Sequence, residues 1–250
     1  MTVHFIGAGP GAPDLLTLRA VQLISSSPVC LHAGSLVPPE VLAHCPAGAR
    51  IVDTADLTLD EIVAELTQAQ ARGADVARLC SGDPSIFSAV AEQTRRLDAV
   101  GVPWDITPGV PAFAAAAAAL GHELTVPGVG QSVILTRIAA QATPMPPGEE
   151  LGSLAATGAT LVLHLAVQRM ADVVAELVPH YGAGCPAAVV AHASRRNETV
   201  LRGTLADIAA AVGAAGIRRT AVIIVGPVLA AEGFRDSHLY SPARDRTESG

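Results

Sequence analysis

The sequence predicts an α/β fold, arranged as two α/β domains. Short apolar runs typical of buried strands alternate along the chain with segments of helical periodicity. Two loops rich in glycine and proline follow such runs. Gly7–Gly11 comes after Val3–Ile6, and Ser81–Pro84 comes after Val76–Leu79. Open α/β sheets bind small molecules beyond the carboxyl ends of their strands, so these loops are the first candidates for a binding site.

The first half of the chain supplies the elements of one such domain. A capping box, Thr58–Glu61, begins a helix that continues to Gly73, because Thr at the N-cap and Glu three residues later satisfy the first amides. The alanine run near residue 115 favours a closely packed helix, since alanine has the highest helix propensity. The other predicted elements are a strand at Pro28–Leu31, a helix at Ile86–Leu97, a strand at Trp104–Thr107 and the alanine-rich helix Ala112–Leu120.

The second half repeats this rhythm after a rigid, proline-rich connector at Pro144–Gly148. We place the domain boundary near Gly121, which gives an N-terminal domain of residues 1–121 and a C-terminal domain of residues 122–250. The predicted elements are strands at Gln131–Arg137, Thr160–Leu165, Ala187–Ala191 and Ala221–Val225, a helix at Met170–Val178 and a capped helix from Thr204.

The composition excludes several classes of function. All 16 cationic side chains are arginine, so the chain has neither a phosphate-binding loop with its Gly-Lys pair nor a Schiff-base lysine. A net charge of −7 and seven aromatic residues argue against a nucleic-acid surface, which uses basic grooves and stacking rings. The longest apolar stretch, near Val110–Leu120, is too short to cross a bilayer. We expect no nucleic-acid partner and no membrane association.

The cysteines and histidines do not form metal-binding patterns. Neither a C-x-x-C pair nor an H-x-x-x-H pair occurs, so we expect no metal site. The N-terminus lacks a basic region followed by an apolar segment, so we expect no secretory signal. Reduced thiols in a cytoplasmic protein are therefore the expectation for the four cysteines, which are Cys30, Cys45, Cys80 and Cys185.

The first loop also matches a dinucleotide-binding fingerprint, in which Gly7, Gly9 and Ala12 fill the three small positions. An NAD(P) site would need an acidic residue about 20 positions later to hold the ribose hydroxyls. No Asp or Glu occurs between Asp14 and Glu40. Proline at positions 10 and 13 also removes amide donors from the loop. An NAD(P)-dependent oxidoreductase therefore remains only as the alternative from a different class.

These loops, in this order, resemble the tetrapyrrole methyltransferase family. The resemblance extends over about Val3–Leu229, and its motifs are specific as a set although each is weak alone. It implies S-adenosylmethionine as cofactor, a tetrapyrrole substrate, two α/β domains with the site in the cleft between them, and a homodimer. The matching segments are Phe5–Gly11, Ser81–Phe87, Thr107–Val110, Leu161–Leu165, Leu201–Leu205 and Ala221–Gly226.

Two further stretches, Ala33–Pro38 and Ser132–Arg137, resemble the branch that methylates precorrin-4 at C-11 to give precorrin-5 in cobalamin synthesis. His32 and Pro111 depart from the pattern, which has tyrosine and a small hydroxyl residue there. Other branches act on cobalt-precorrin-4, on uroporphyrinogen-III or precorrin-2, on ribosomal RNA or on a modified histidine of a protein. The RNA branch is disfavoured because the chain has no lysine-rich face.

The resemblance implies a set of cofactor-binding positions. Each has a plain structural alternative: Asp83 in Gly-Asp-Pro could only initiate a turn, Leu165 could be a core leucine, and Ala112 could only permit helix packing. Gly82 is the best supported, because a loop tip approached by a ligand favours a residue without Cβ. The positions are Pro10, Ser81, Gly82, Asp83, Ile86, Pro111, Ala112, Leu165, Ala193, Thr220 and Ala221.

The implied chemistry requires few catalytic side chains. The methyl group is activated by the sulfonium and the substrate carbon is enamine-like, so positioning and exclusion of water should suffice. We therefore assign no catalytic residue. The histidines that could act as a general base are more simply interpreted as structural residues; they are His4, His122 and His164. A substrate rich in carboxylates needs arginines, which pair with them bidentately. The candidates lie after predicted strand ends: Arg137, Arg195 and Arg196.

Overall fold

A computed structural model describes residues 1–139 and 144–238 of the chain. The end of the predicted C-terminal domain, residues 239–250, lies outside the described residues. Two five-stranded sheets are present, each combined with helices. The α/β class predicted from the sequence is confirmed.

The first sheet is entirely parallel and has the strand order β3-β2-β4-β1-β5. Apolar side chains alternate between its two faces, because successive residues of a strand point to opposite sides. Phe5 belongs to the core on one face, and Ile6 to the core on the other. The strands are β1 (Val3–Gly7), β2 (Val29–His32), β3 (Arg50–Asp53), β4 (Val76–Cys80) and β5 (Trp104–Thr107).

Helices pack on both faces of this sheet. The apolar side chains of α1 and α2 join the core that contains Ile6, and those of α3 and α4 join the core that contains Phe5. The capping box predicted at Thr58 is confirmed: Glu61 donates its amide to Thr58 Oγ1 at 3.3 Å, and its carboxylate accepts from the Thr58 amide at 2.7 Å. The helices are α1 (Leu18–Ser26), α2 (Pro39–Leu42), α3 (Leu59–Ala71), α4 (Val90–Ala99) and α5 (Ala112–Leu120).

The second sheet is mixed, with the strand order β6-β7-β10-β8-β9. Only β6 and β7 pair in parallel; the other neighbours are antiparallel. Its core consists of the buried faces of β7, β8 and β10 and the helices packed on them. The elements are β6 (Val133–Arg137), α6 (Leu151–Ala155), β7 (Thr160–His164), α7 (Met170–Tyr181), β8 (Pro186–Ala191), β9 (Thr199–Thr204), α8 (Ile208–Ala214) and β10 (Ala221–Val225).

Two predicted helix starts are wrong. The helix predicted from Thr204 begins at Ile208, because Thr204 is the last residue of β9, a strand that the sequence analysis missed. The helix predicted from Ile86 begins at Val90. Phe87 and Ala89 adopt positive φ angles of 50°, which cannot continue an α-helix.

The chain divides into two compact units. The first contains Met1–Ala115 and also the short segment His192–Glu198; the second contains Ala116–Ala191 and the chain from Thr199 onward. Helix α5 begins in the first unit and ends in the second. The division near residue 121 stays a prediction, and the segment 192–198 was not part of it.

No helix among the described residues is both long and apolar enough to span a membrane.

Candidate functional site: the carboxyl edges of the two sheets

The topology of the first sheet makes the carboxyl ends of β1 and β4 a candidate binding position. These strands are neighbours, yet the chain leaves them in opposite directions: β1 leads to β2 on one side of the sheet, and β4 leads to β5 at the other end. Open α/β sheets bind ligands beyond the carboxyl ends of strands at such a reversal. The two Gly/Pro loops found in the sequence follow these two strands.

The two loops are joined directly by backbone hydrogen bonds. Gly82 donates its amide to the Gly9 carbonyl at 2.8 Å, and Gly9 donates to the Gly82 carbonyl at 3.2 Å. The contact leaves no room for side chains: a Cβ on Gly7 would lie 2.4 Å from the Gly109 nitrogen, and one on Gly109 would lie 2.4 Å from the Gly82 oxygen. The glycines therefore bring three loop backbones together, those after β1, β4 and β5.

Asp83 holds the same loops together through its carboxylate. Oδ2 accepts from the Gly109 amide at 2.8 Å, and Oδ1 accepts from the amide and the hydroxyl of Ser85. Partial burial opposes ionisation, but the hydrogen bonds from Ser85 and Gly109 outweigh it and lower the pKa of Asp83. Asp83 thus forms the turn that was its structural alternative and also fixes the shape of the loop edge.

The remaining first-unit candidates surround this edge. Pro10 and Gly82 are buried, whereas Ser81, Ile86 and Pro111 are partly accessible. Helix α5 begins directly after Pro111, so its first residue, Ala112, lies at the same edge; the Pro111 carbonyl accepts from the amides of Ala114 and Ala115 at 3.1 and 3.3 Å. The structure therefore brings together Pro10, Ser81, Gly82, Asp83, Pro111 and Ala112, with Ile86 three residues beyond Asp83 on the same loop.

The second-unit candidates share one edge of the other sheet. Register pairs Arg137 with His164 at the ends of β6 and β7, and pairs Ala221 with Ala191. Leu165 follows His164 with φ of +57° and 73% exposure, which excludes the core-leucine alternative. Thr220, next to Ala221, also has a positive φ, of 56°. Backbone strain of this kind at two predicted positions is typical of binding sites.

Ala193 lies in the segment 192–198, where it is buried between two residues of positive φ, His192 and Ser194. Ser194 Oγ accepts from the Ala12 amide at 3.0 Å. Arg195 donates to the carbonyls of Ser35 and Leu36 at 3.0 and 2.7 Å. The segment is thereby fixed to the loop after β1 and the turn after β2.

The three predicted substrate arginines have different surroundings. Arg137 is partly buried and donates to the carbonyls of Ile138 and Pro144 at 3.2 and 3.3 Å. Arg196 is exposed. The guanidinium of Arg195 is engaged by backbone carbonyls, and burial lowers its pKa. Arg195 therefore has an anchoring role in the structure, independent of any substrate.

The histidines do not form a catalytic arrangement among the described residues. His4 Nδ1 lies 2.9 Å from Asp105, its cross-strand neighbour on the edge strand β5. Burial lowers the pKa of His164, so its ring is neutral near pH 7. The part of the chain that the structure describes also contains no group of three His, Cys, Asp or Glu residues able to hold a metal ion.

Gly109 is a site residue that the sequence analysis did not select. Its amide binds Asp83, and its missing Cβ permits the contact with Gly7 and Gly82. The signal was present in the matching segment Thr107–Val110, from which the sequence analysis chose no site residue. The dinucleotide alternative does not fit this geometry, because Gly9 pairs with Gly82 and helix α1 begins only at Leu18 instead of at the glycines.

Comparison with known proteins places this fold in a family. Residues 2–209 match the family of tetrapyrrole (corrin/porphyrin) methylases, and the chain belongs to it. This finding confirms the resemblance inferred from the sequence and excludes the oxidoreductase class.

Individual members of the family show which of its enzymes this chain resembles. The chain is 65% identical over 247 residues to the precorrin-4 C(11)-methyltransferase of Rhodococcus erythropolis, covering 99% of both chains. It superimposes on the X-ray structure of a cobalt precorrin-4 methyltransferase with a TM-score of 0.88 and 37% identity, covering 91% of this chain and 95% of the other. Uroporphyrin-III C-methyltransferase from Thermus thermophilus, complexed with S-adenosylhomocysteine, gives a TM-score of 0.77 at 30% identity and coverages of 92% and 99%.

Proposed function

We propose that this chain transfers a methyl group from S-adenosylmethionine to C-11 of precorrin-4, giving precorrin-5 in cobalamin biosynthesis. The observation that carries the proposal is the 65% identity, over nearly all of both chains, to a precorrin-4 C(11)-methyltransferase. The proposal is supported by the sheet edges described above, where the residues predicted to bind cofactor and substrate lie. A solved relative that binds S-adenosylhomocysteine, the product left by S-adenosylmethionine, supports the cofactor.

The first-unit edge fits the cofactor because it offers backbone groups without side-chain obstruction. A Cβ built on Gly82 would point at the Ala112 amide, 3.4 Å away, and at Pro111. Absence of that Cβ leaves room for a ligand beside the Ala112 amide. The proposed cofactor contacts here are Pro10, Ser81, Gly82, Asp83, Ile86, Pro111 and Ala112, with Leu165, Ala193, Thr220 and Ala221 from the rest of the chain.

The chemistry then depends on positioning. Bound S-adenosylmethionine supplies a methyl group already activated by its sulfonium. Backbone amides and carbonyls at the Gly82 edge would orient the cofactor, and enclosure of the bound cofactor would exclude water from the reacting methyl group. Asp83 acts on the shape of the loop through Gly109 and Ser85, so its place in the mechanism is to hold the binding edge in place. No side chain is assigned as a general base.

The substrate carboxylates require local positive charge, because the chain as a whole carries −7. Arg137 and Arg196 are proposed to bind them by charge-assisted hydrogen bonds. Arg137 is the better placed, since it ends β6 at the edge shared with Leu165 and Ala221. Arg195 is proposed as a weaker contributor because two of its donors hold Ser35 and Leu36.

Cobalt-precorrin-4 is the second candidate substrate. It is favoured by the TM-score of 0.88 to a cobalt precorrin-4 methyltransferase, although the identity to that chain is only 37%. The higher identity to the precorrin-4 relative favours the metal-free substrate. We further propose a homodimer, from the family resemblance, and a cytoplasmic location, in keeping with four cysteines that are free thiols.

Incubation of the purified protein with S-adenosylmethionine and either precorrin-4 or cobalt-precorrin-4 tests the proposal. Mass spectrometry of the tetrapyrrole should show the gain of one methylene unit, and NMR with ¹³C-labelled methyl donor should place the label on C-11. The metal-free substrate should react faster. Label on another carbon, or no transfer with either substrate, would contradict the proposed function.

A further inference from the structure

Arg78 is a cation buried inside the first unit. It lies in β4 with 6% exposure, between the sheet and helix α4. Within residues 1–139 and 144–238, no carboxylate pairs with it. Its partners are neutral: Nε donates to Gln93 Oε1 at 3.0 Å, and Nη1 donates to Thr54 Oγ1 at 3.3 Å and to the Leu79 carbonyl at 3.4 Å.

This arrangement is a poor way to stabilise a fold. A buried charge loses its hydration, and neutral acceptors replace that hydration only in part. Well-packed apolar residues of similar volume usually serve the interior equally well or better. The directionality of the hydrogen bonds is what the guanidinium supplies and an apolar side chain would not.

Arg78 fixes the orientation of the Gln93 side-chain amide. Because a guanidinium can only donate, the Gln93 oxygen must face Arg78 and the NH₂ group must face the other way. That NH₂ donates to the Ala89 carbonyl at 2.9 Å. Ala89 is the N-cap of α4, with φ of 50°, and its own side chain cannot cap the helix. Gln93 therefore holds the strained start of α4.

The next residue connects this start to the loop after β4. Ser88 Oγ lies 3.1 Å from the carbonyl oxygens of both Asp83 and Ile86. Asp83 in turn binds Gly109 through its carboxylate. Arg78 is thus connected to the Gly82–Asp83 edge by the hydrogen bonds of Gln93 to Ala89, by the peptide bond between Ala89 and Ser88, and by the hydrogen bonds of Ser88.

We propose that Arg78 and Gln93 are positioning residues for the cofactor edge: their hydrogen bonds hold the loop from Ser81 to Ala89 in its binding conformation. The inference rests on the proposed function, because it assumes that this edge receives S-adenosylmethionine. Neither side chain touches the ligand. Their effect is on cofactor affinity and on the order of the loop, and not on the rate of methyl transfer once both substrates are bound.

The experiment replaces both partners together, Arg78→Met/Gln93→Met, because matched apolar replacement leaves neither side chain with an unpaired polar group, and Thr54 Oγ1 keeps its hydrogen bond to the His32 carbonyl. Isothermal titration calorimetry with S-adenosylhomocysteine should show affinity reduced about tenfold or more, as misplacement of a positioning group does. Melting temperature should stay within about 3 °C of wild type, and hydrogen exchange should become faster in residues 81–89. The control is Arg50→Met/Glu65→Met, which removes another strand-to-helix arginine pair, joining β3 to α3, and should leave affinity unchanged.

If the double variant does not fold, a second variant, Ser88→Ala, tests whether the hydrogen bonds of this loop affect cofactor affinity. It removes only the hydroxyl that binds Asp83 and Ile86, and it should weaken S-adenosylhomocysteine binding about threefold or more at an unchanged melting temperature. Wild-type affinity in either folded variant would overturn the inference. Failure of the wild-type protein itself to bind S-adenosylhomocysteine would instead count against the proposed function, so the two failures are distinguishable.

Discussion

Gly82 and Gly101 have almost the same backbone conformation, with φ of +70° and +69°, in very different surroundings. A Cβ on Gly82 would face Ala112 and Pro111, whereas one on Gly101 would meet nothing within 4 Å. A positive φ thus occurs both in a plain turn, at Gly101, and at the proposed ligand edge, at Gly82. The two positions differ only in the residues that surround them. The pair provides a matched test of the site.

Gly82→Val and Gly101→Val should lose similar stability, because a left-handed conformation costs an L-residue about 1–2 kcal/mol in each case. Only Gly82→Val should lose S-adenosylhomocysteine binding, since its side chain alone projects toward the start of α5. Calorimetric titration of both folded variants measures this difference. Equal affinities would remove Gly82 from the cofactor site.

The free energy of unfolding should depend on pH in the acid range because the Asp83 carboxylate is ionised in the folded protein. Its pKa is lowered in the folded state, so its stabilising hydrogen bonds are fully present above the unfolded value of about 3.9 and are lost as pH falls through the lower folded value. Asp83→Asn should therefore be less stable than wild type near pH 6, with the difference shrinking below about pH 4. Urea denaturation at a series of pH values measures it. A pH-independent difference would show that the carboxylate charge is not involved.

Leu165 should show opposite effects on stability and binding. Its side chain is 73% exposed on a residue with φ of +57°, so Leu165→Gly removes strain and little buried area. Melting temperature should be unchanged or higher, while S-adenosylhomocysteine affinity falls. The contrast is Leu163→Ala, at a fully buried position in the preceding strand β7, which should cost about 2–5 kcal/mol. Comparable loss of stability at both positions would contradict the surface assignment.

At the scale of elements, the interior strands of both sheets were predicted, as were the edge strands β5 and β6, whereas the edge strands β3 and β9 were not. β10 is a continuous apolar run, and β1 and β4 are apolar runs interrupted only by His4 and Arg78; the predicted and observed bounds of all three agree closely. β3 and β9 form edges of their sheets with largely accessible residues, so neither has a marked apolar pattern. Their existence depends on pairing with distant strands, which no local window contains.

For the candidate site, the sequence predicted the loops that form it but not the contacts between them. Gly and Pro marked the loops after β1 and β4, because glycine is needed where backbones approach closely. The sequence could not show that Gly9 and Gly82 bind each other, or that Gly109 joins them, since these contacts follow from strand order. Arg195 was selected for its charge, and its bonds to Ser35 and Leu36 depend on a contact 160 residues along the chain.

Arg137, the last residue of β6, gives a prediction about substrate binding at the end of a strand. Arg137→Ala should weaken use of the tetrapyrrole more than binding of the cofactor, by about 1.5–3 kcal/mol for loss of charged hydrogen bonds. Steady-state kinetics should show a raised KM for the tetrapyrrole and little change in KM for S-adenosylmethionine. Arg218→Ala, an exposed arginine of the same unit, is the control. An unchanged tetrapyrrole KM would make Arg137 a structural residue that only binds nearby carbonyls.

At the scale of the whole molecule, cofactor choice should be visible as thermal stability. A ligand that binds only the folded chain at about 100 times its Kd adds about 2.7 kcal/mol, or roughly 5–10 °C for a protein of this length. S-adenosylhomocysteine should produce such a shift, and NAD should produce none, because Gly9 is paired to Gly82. Differential scanning fluorimetry measures both. Equal shifts would leave the methyltransferase proposal without this support.

The segment His192–Glu198 also determines when the first unit can be completed during synthesis. Its bonds to Ala12, Ser35 and Leu36 belong to that unit, although the rest of the unit ends at Ala115. A ribosome that adds about 5–20 residues per second reaches Glu198 several seconds after Ala115. During that interval the nascent first sheet can form, but the loop after β1 lacks its last partners. The binding edge therefore matures late in translation, after most of the second sheet has been made.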